Sequence, residues 1–211
     1  MKINFLGDSI TEGWGASSPE KGFVTLVGNA LKCEVNNYGI GGTRIAMSIV
    51  PSIEPRYDLY FGERVKDMDK DADIVFVFGG TNDYGHGTAP FGEFGDKDPR
   101  TFYGAVDYLI NQLLLYFKKD RIVFIPPLYR FNENSPYGDG CKLYPDKTLQ
   151  EYREAMTKVL IKYNIRILDI KDDIGKADGN PLLLDGLHPN DDGHKKIASL
   201  VIQYINNHFL K

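Results

Sequence analysis

The chain has 211 residues, 42% of them hydrophobic and 26% charged, and its 25 Lys and Arg stand against 29 Asp and Glu for a net charge of −4. That balance excludes a disordered chain, a collagen-like fibre and a coiled-coil rod, and the missing basic surplus argues against a nucleic-acid partner. Cys33 and Cys141 are too few for a disulfide scaffold or a Cys-rich zinc site, and no apolar run reaches the length of a membrane span.

The length points to one domain over residues 1–211. Met1 to Leu6 is too short and polar for a signal peptide and reads as a first strand, which points to the cytoplasm. Residues 17–32 read as a helix: Ser17 and Glu20 have capping-box spacing, and Phe23, Leu26, Val27, Ala30 and Leu31 share one face. Cys33 to Asn37 is a second strand ending in the glycines 39, 41 and 42. Asp73 to Phe78 is a nearly unbroken apolar run, which suits a strand covered on both faces. Residues 101–118 are helical, Arg121 to Ile125 is a fourth strand, 147–163 a helix, Ile165 to Leu168 a fifth strand and 191–209 a last helix. This alternation gives an α/β fold, with helices on both faces of a mainly parallel sheet. Of the 22 glycines, 10 lie between positions 39 and 95, mostly just after strands. Ligands of such sheets bind at the carboxyl ends of the strands. Segments 84–100 and 127–146 are irregular, aromatic-rich excursions that follow strand ends, so they are expected to overhang a site.

Four short stretches sit after strands or before the last helix: Gly7-Asp8-Ser9-Ile10, Asn37 to Gly42, Gly80-Thr81-Asn82-Asp83 and Asp185-Gly186-Leu187-His188-Pro189. Together, in this order and spacing, they resemble the blocks of the SGNH/GDSL hydrolase family. Thr43 stands where relatives often have Asp, and Ile10 replaces the Leu of the name motif. The resemblance implies a three-layer α/β/α sandwich with a flavodoxin-like five-stranded sheet. It also implies an oxyanion hole made by the Gly42 N–H, the Asn82 side-chain amide and the Ser9 N–H. It calls for no metal and no cofactor.

A serine hydroxyl is a poor nucleophile until a base takes its proton. Ser9 follows a strand and a turn, which sets its hydroxyl at the sheet's carboxyl edge. His188 is the candidate base, and Asp185, three residues earlier, is within reach to hold the imidazole tautomer. Singly, Ser9 reads as a turn or cap serine, Asp185-x-x-His188 as a polar turn, Gly42 as a left-handed turn residue and Asn82 as an Asx turn. The joint pattern reverses that. His194, close to the face shared by Ile197, Val201 and Ile205, reads as a packed histidine. His86 and Trp14 are candidate pocket walls. Arg44 would meet a polar substrate group or cover the helix behind it.

The expectation is therefore a serine hydrolase of carboxylic esters, with a small-molecule ester as its substrate and short acyl groups, such as the acetyl esters of carbohydrates, favoured. A lipase, thioesterase or acyltransferase of the same family is the nearest rival, and a non-catalytic flavodoxin-like binding module the rival from another class. Tyr129, Phe131, Tyr137 and Tyr144 suggest that loop 127–146 limits the alcohol side of the ester.

Overall fold

The computed structural model describes residues 1–210. The chain runs β1 (Lys2–Gly7), α1 (Ser9–Glu12), α2 (Phe23–Leu31), β2 (Glu34–Gly39), α3 (Phe61–Arg64), β3 (Ile74–Phe78) and α4 (Thr81–His86). It continues through α5 (Phe102–Leu114), β4 (Ile122–Ile125), α6 (Leu149–Tyr163), β5 (Arg166–Ile167), α7 (Lys171–Ile174) and α8 (Asp191–His208). The strands form one five-stranded sheet in the order β2-β1-β3-β4-β5, and every neighbouring pair is parallel. This is the flavodoxin-like order, and its switch point lies between β1 and β3, where a ligand crevice opens at the carboxyl ends.

The apolar runs form strands because both faces are covered. Along β3, Ile74, Phe76 and Phe78 enter a cluster with Phe23, Val27, Ile197 and Val201 of α2 and α8. Val75 and Val77 point the other way, into a cluster with Val106, Leu109, Met156 and Leu160 of α5 and α6. Phe5 stacks on Phe76 across the β1–β3 pair at 5.2 Å between ring centroids. Truncating either ring would cost about 3–5 kcal/mol. Asn4 is the polar exception on β1. It is fully buried, and it is satisfied by donating to the Asp69 carbonyl at 2.8 Å and accepting from Asn36 at 2.9 Å.

Several boundaries differ from the sequence reading: α5 ends at Leu114, β2 runs Glu34–Gly39, β5 is only Arg166–Ile167, and the start of α2 moves furthest. The capping box expected at Ser17 and Glu20 does not form. Ser17 donates its N–H and hydroxyl to Asp191 at 2.7 and 2.9 Å, Pro19–Lys21 makes a separate tight turn, and α2 begins after Gly22. A carboxylate from α8 outcompetes the local partner, and Pro19 fits the first position of a short turn. The box appears instead at the start of α6, where the Thr148 N–H donates to Glu151 at 2.8 Å and the Glu151 N–H to the Thr148 hydroxyl at 3.4 Å. Residues 84–86 complete α4, whereas 127–146 hold no helix or strand. Among the described residues no helix is long and apolar enough to cross a membrane.

Candidate active site

The site is assembled at the carboxyl edge of the sheet. Asp8 leaves β1 and caps α1, its Oδ1 accepting the Ile10 N–H at 3.1 Å. Ser9 thereby becomes the first residue of α1, directly beyond the strand. Burial pushes the Asp8 carboxyl up to about 7, against the Ile10 N–H and the charge of Arg64. Its Oδ2 is buried without a hydrogen-bond partner.

The Ser9 hydroxyl lies 3.0 Å from His188 Nε2, and His188 Nδ1 lies 2.7 Å from Asp185 Oδ2. The other Asp185 oxygen accepts the Leu187 and His188 N–H groups at 3.0 and 2.7 Å. Burial opposes ionisation of Asp185, but these backbone bonds and the His188 ring outweigh it and hold the carboxyl below its ordinary value. An ionised carboxylate only accepts, so Nδ1 carries the ring hydrogen and Nε2 is free to accept from the serine. The loop is fixed at both ends. The Leu184 N–H donates to the His188 carbonyl at 2.8 Å, and Asn190 caps α8 by accepting from the Gly193 N–H at 3.1 Å.

The other two glycine-rich turns close on the same spot. Gly42, past the end of β2, has φ +76°, and a Cβ there would lie 2.8 Å from the Tyr57 ring. Only glycine accepts both the left-handed backbone and that contact. Asn82, in the first turn of α4, donates one amide hydrogen to the Thr43 carbonyl at 2.9 Å, which leaves its second hydrogen unspent. Asp83 points away from the cavity. Its two oxygens accept the Ile45 and Ala46 N–H groups at 2.9 and 2.8 Å, and burial raises its carboxyl to about 6 against those bonds. Among the described residues, the Ser9 and Gly42 N–H groups meet no backbone acceptor.

These groups floor a cavity of about 510 Å³, whose lining includes Ser9, Gly42, Asn82 and His188. Trp14 forms a wall, 61% exposed, with its ring centroid 5.6 Å from that of His188. Arg44 and His86 line the cavity as well. The buried Arg44 guanidinium donates to the Tyr57 carbonyl at 3.0 Å, the Ser52 hydroxyl at 3.2 Å and the His86 carbonyl at 3.4 Å. Burial, and secondarily the Arg44 charge, lowers the pKa of His86. His194 is fully buried and outside the cavity; it donates from Nε2 to the Trp14 carbonyl at 2.9 Å, so it supports that wall from behind.

Loop 127–146 departs from expectation. Only Asp139 of this loop lines the cavity; Tyr129, Phe131, Tyr137 and Tyr144 do not. The place is taken by Ser52, Arg56 and Tyr57, which follow the glycine turn and which the sequence reading did not single out. Glu12 and Leu187 also line the cavity, although both lie within or beside the motif stretches.

A hydroxyl, an imidazole and a carboxylate in hydrogen-bonded sequence, beside unspent N–H donors, are the parts of acyl-transfer chemistry. A family model for GDSL-like lipases and acylhydrolases matches residues 5–196. The chain belongs to that family. The GDSL-like protein is a carboxylic ester hydrolase, and its solved relatives span nearly its whole length. One, from Lactobacillus plantarum, is 27% identical over 99% of this chain and 97% of its own, with a TM-score of 0.80. An acetyl xylan esterase is 25% identical over 97% of this chain and 100% of its own, with a TM-score of 0.67. A lipase/acylhydrolase from Enterococcus faecalis, 20% identical over 98% of this chain and 95% of its own, shares the fold at a TM-score of 0.65. No curated protein sequence matches the chain.

Proposed function

We propose that this GDSL-like hydrolase removes short acyl groups, acetyl above all, from polar alcohols such as carbohydrates. Ser9 is the nucleophile, His188 the base and Asp185 the carboxylate that orients it. The Ser9 hydroxyl attacks the ester carbonyl while His188 Nε2 takes its proton. The imidazolium is stabilised by Asp185 and returns that proton to the departing alcohol. Water then repeats the sequence on the acyl-serine and frees the acid. The oxyanion formed at each attack is met by the Ser9 N–H, the Gly42 N–H and the second Asn82 amide hydrogen. The observation that carries this reading is the 3.0 Å and 2.7 Å chain from Ser9 through His188 to Asp185, whose first two members line one cavity.

Two features support the substrate class. Among the described residues the apolar side chains of the lining are Leu187 and the rings of Trp14 and Tyr57, interrupted by Glu12, Arg44, Arg56 and Asp139. A long acyl chain gains about 0.8 kcal/mol per methylene only where it meets an apolar wall. Trp14 lies beside His188, which hands its proton to the leaving group, so the alcohol departs along an exposed indole face. Such a face suits the apolar side of a sugar ring. The acetyl xylan esterase among the solved relatives agrees with this choice.

The test is hydrolysis of p-nitrophenyl esters of increasing length beside acetate release from acetylated sugars. Ser9→Ala is expected to fold and to lose about 10³-fold or more of kcat, and a fluorophosphonate probe to label Ser9. Trp14→Ala should weaken turnover of acetylated sugars while leaving ethyl acetate little changed. Undiminished activity of Ser9→Ala would end the mechanism, and octanoyl esters turning over fastest would replace the substrate class with a lipase or thioesterase reading.

A further inference from the structure

The turn carrying Gly42 is tied to the nucleophile's own helix through one side chain. Glu12 closes α1 three residues after Ser9, and its Oε2 accepts the Gly41 N–H at 2.7 Å. The two pieces of chain lie directly on each other. A Cβ on Gly39 would sit 2.1 Å from the Glu12 nitrogen, and one on Gly41 would sit 3.5 Å from Ser9 Cβ. At its far end the turn is held by the Thr43 hydroxyl, which donates to the Ile40 carbonyl at 2.6 Å, and by Asn82, which donates to the Thr43 carbonyl at 2.9 Å. The Gly41 N–H is thus the point at which α1 sets the rotation of the peptide units leading to Gly42.

From this geometry we propose that Glu12 is a positioning residue: its carboxylate oxygen fixes the Gly41–Gly42 turn so that the Gly42 N–H faces the oxyanion formed at Ser9. This rests on the oxyanion-hole reading given above. The negative charge itself is a liability there, because it repels a developing oxyanion. Arg56 offsets it, with Nη2 3.5 Å from the other Glu12 oxygen. Both ends of that ion pair are well exposed, so it contributes little to stability. What matters is an acceptor oxygen at this position, not a charge.

Two variants of matching length separate the possibilities. Glu12→Met keeps the helix propensity and removes the acceptor, whereas Glu12→Gln keeps an acceptor oxygen and removes the charge. With p-nitrophenyl acetate, Glu12→Met should lose about tenfold or more of kcat with KM within about threefold. Glu12→Gln should restore kcat to within about threefold of the parent. The proposal is overturned if Glu12→Met keeps its kcat, if the loss falls on KM, if glutamine fails to rescue, or if Glu12→Met no longer melts cooperatively. Ser9→Ala in the same assay keeps the two readings apart. If that variant is inactive while Glu12→Met matches the parent, only the role of Glu12 falls. If Ser9→Ala is fully active, the oxyanion-hole reading falls and takes Glu12 with it.

Discussion

Segments 43–60 and 127–146 both leave the carboxyl end of a strand as irregular chain, yet they end up with opposite duties. The first faces the cavity with Arg44, Ser52, Arg56 and Tyr57, and the second contributes only Asp139. The difference lies in where each spends its cations. In the second segment Arg130 is almost fully buried; it donates to the Thr81 carbonyl at 3.1 Å and is paired with Asp139. Lys142 is also buried, its ammonium 4.5 Å from the Tyr152 ring centroid, and it donates to the Lys147 carbonyl at 3.2 Å. These two cations pin the loop onto α4 and α6, and its aromatic rings follow the backbone outward or along the surface. Tyr137 is 61% exposed. In the first segment, Arg44 donates to the Tyr57 carbonyl and the Ser52 hydroxyl and so ties that stretch beside the cavity. Aromatic content marks neither loop as the one that meets substrate.

That contrast can be broken most forcefully at Arg130. Arg130→Met strands Asp139 and the Thr81 acceptors, and should cost about 3–5 kcal/mol of stability. Measured on the folded fraction, kcat/KM should stay within about threefold of the parent. A larger activity loss at unchanged melting temperature would make the second segment catalytic after all.

Arg44→Met is the corresponding cut in the first segment. It should cost about 1–3 kcal/mol for the buried acceptors left unpaired, and unlike Arg130→Met it should also lower kcat/KM about tenfold or more. The two arginines then differ in function more than in stability, which denaturant melts and steady-state rates on one preparation will reveal.

A finer comparison sets Tyr57 against Tyr137. Tyr57→Ala removes the ring that packs against Gly42 and should lower kcat/KM about tenfold, with Tyr137→Ala within about twofold of the parent. Equal effects would erase the distinction between the segments.

The smallest effect concerns the ground beneath both. Asp8 is raised to about 7 by burial, so its ionised form is penalised in the fold but not in the unfolded chain. Stability is therefore lost as pH rises from the ordinary carboxylate range through about 7. Asp8→Asn keeps an acceptor for the Ile10 N–H and removes the penalty. Its melting temperature should exceed the parent's at pH 8 by a few degrees, about 2–4 °C per kcal/mol, and the gain should shrink toward pH 5. A gain independent of pH would show that Asp8 is not the titrating group.

The order of strands and helices was legible because local patterns carry it. Unbroken apolar runs at 74–78 and 122–125 can only be strands covered on both faces, and glycines follow where a strand must turn sharply. The candidate site residues Ser9, Gly42, Asn82, Asp185 and His188 were legible for the same reason, since each lies in a short motif at a strand end or just before the last helix. The structure brings Ser9, Gly42, Asn82 and His188 to one cavity, with Asp185 reaching it through the His188 ring. The partner of Ser17 was not legible, because Asp191 accepts its N–H and its hydroxyl from 174 residues away in sequence. Trp14, His86 and Arg44 were legible as parts of the cavity wall, but the remainder was not. Ser52, Arg56 and Tyr57 have no periodicity to announce them, and their placement depends on the buried Arg44 and on Asp83 holding the Ile45 and Ala46 N–H groups. Motif and periodicity are properties of neighbouring residues and survive in the sequence. The direction in which an irregular loop faces is set by long-range pairing of buried charges, and only the folded chain decides that.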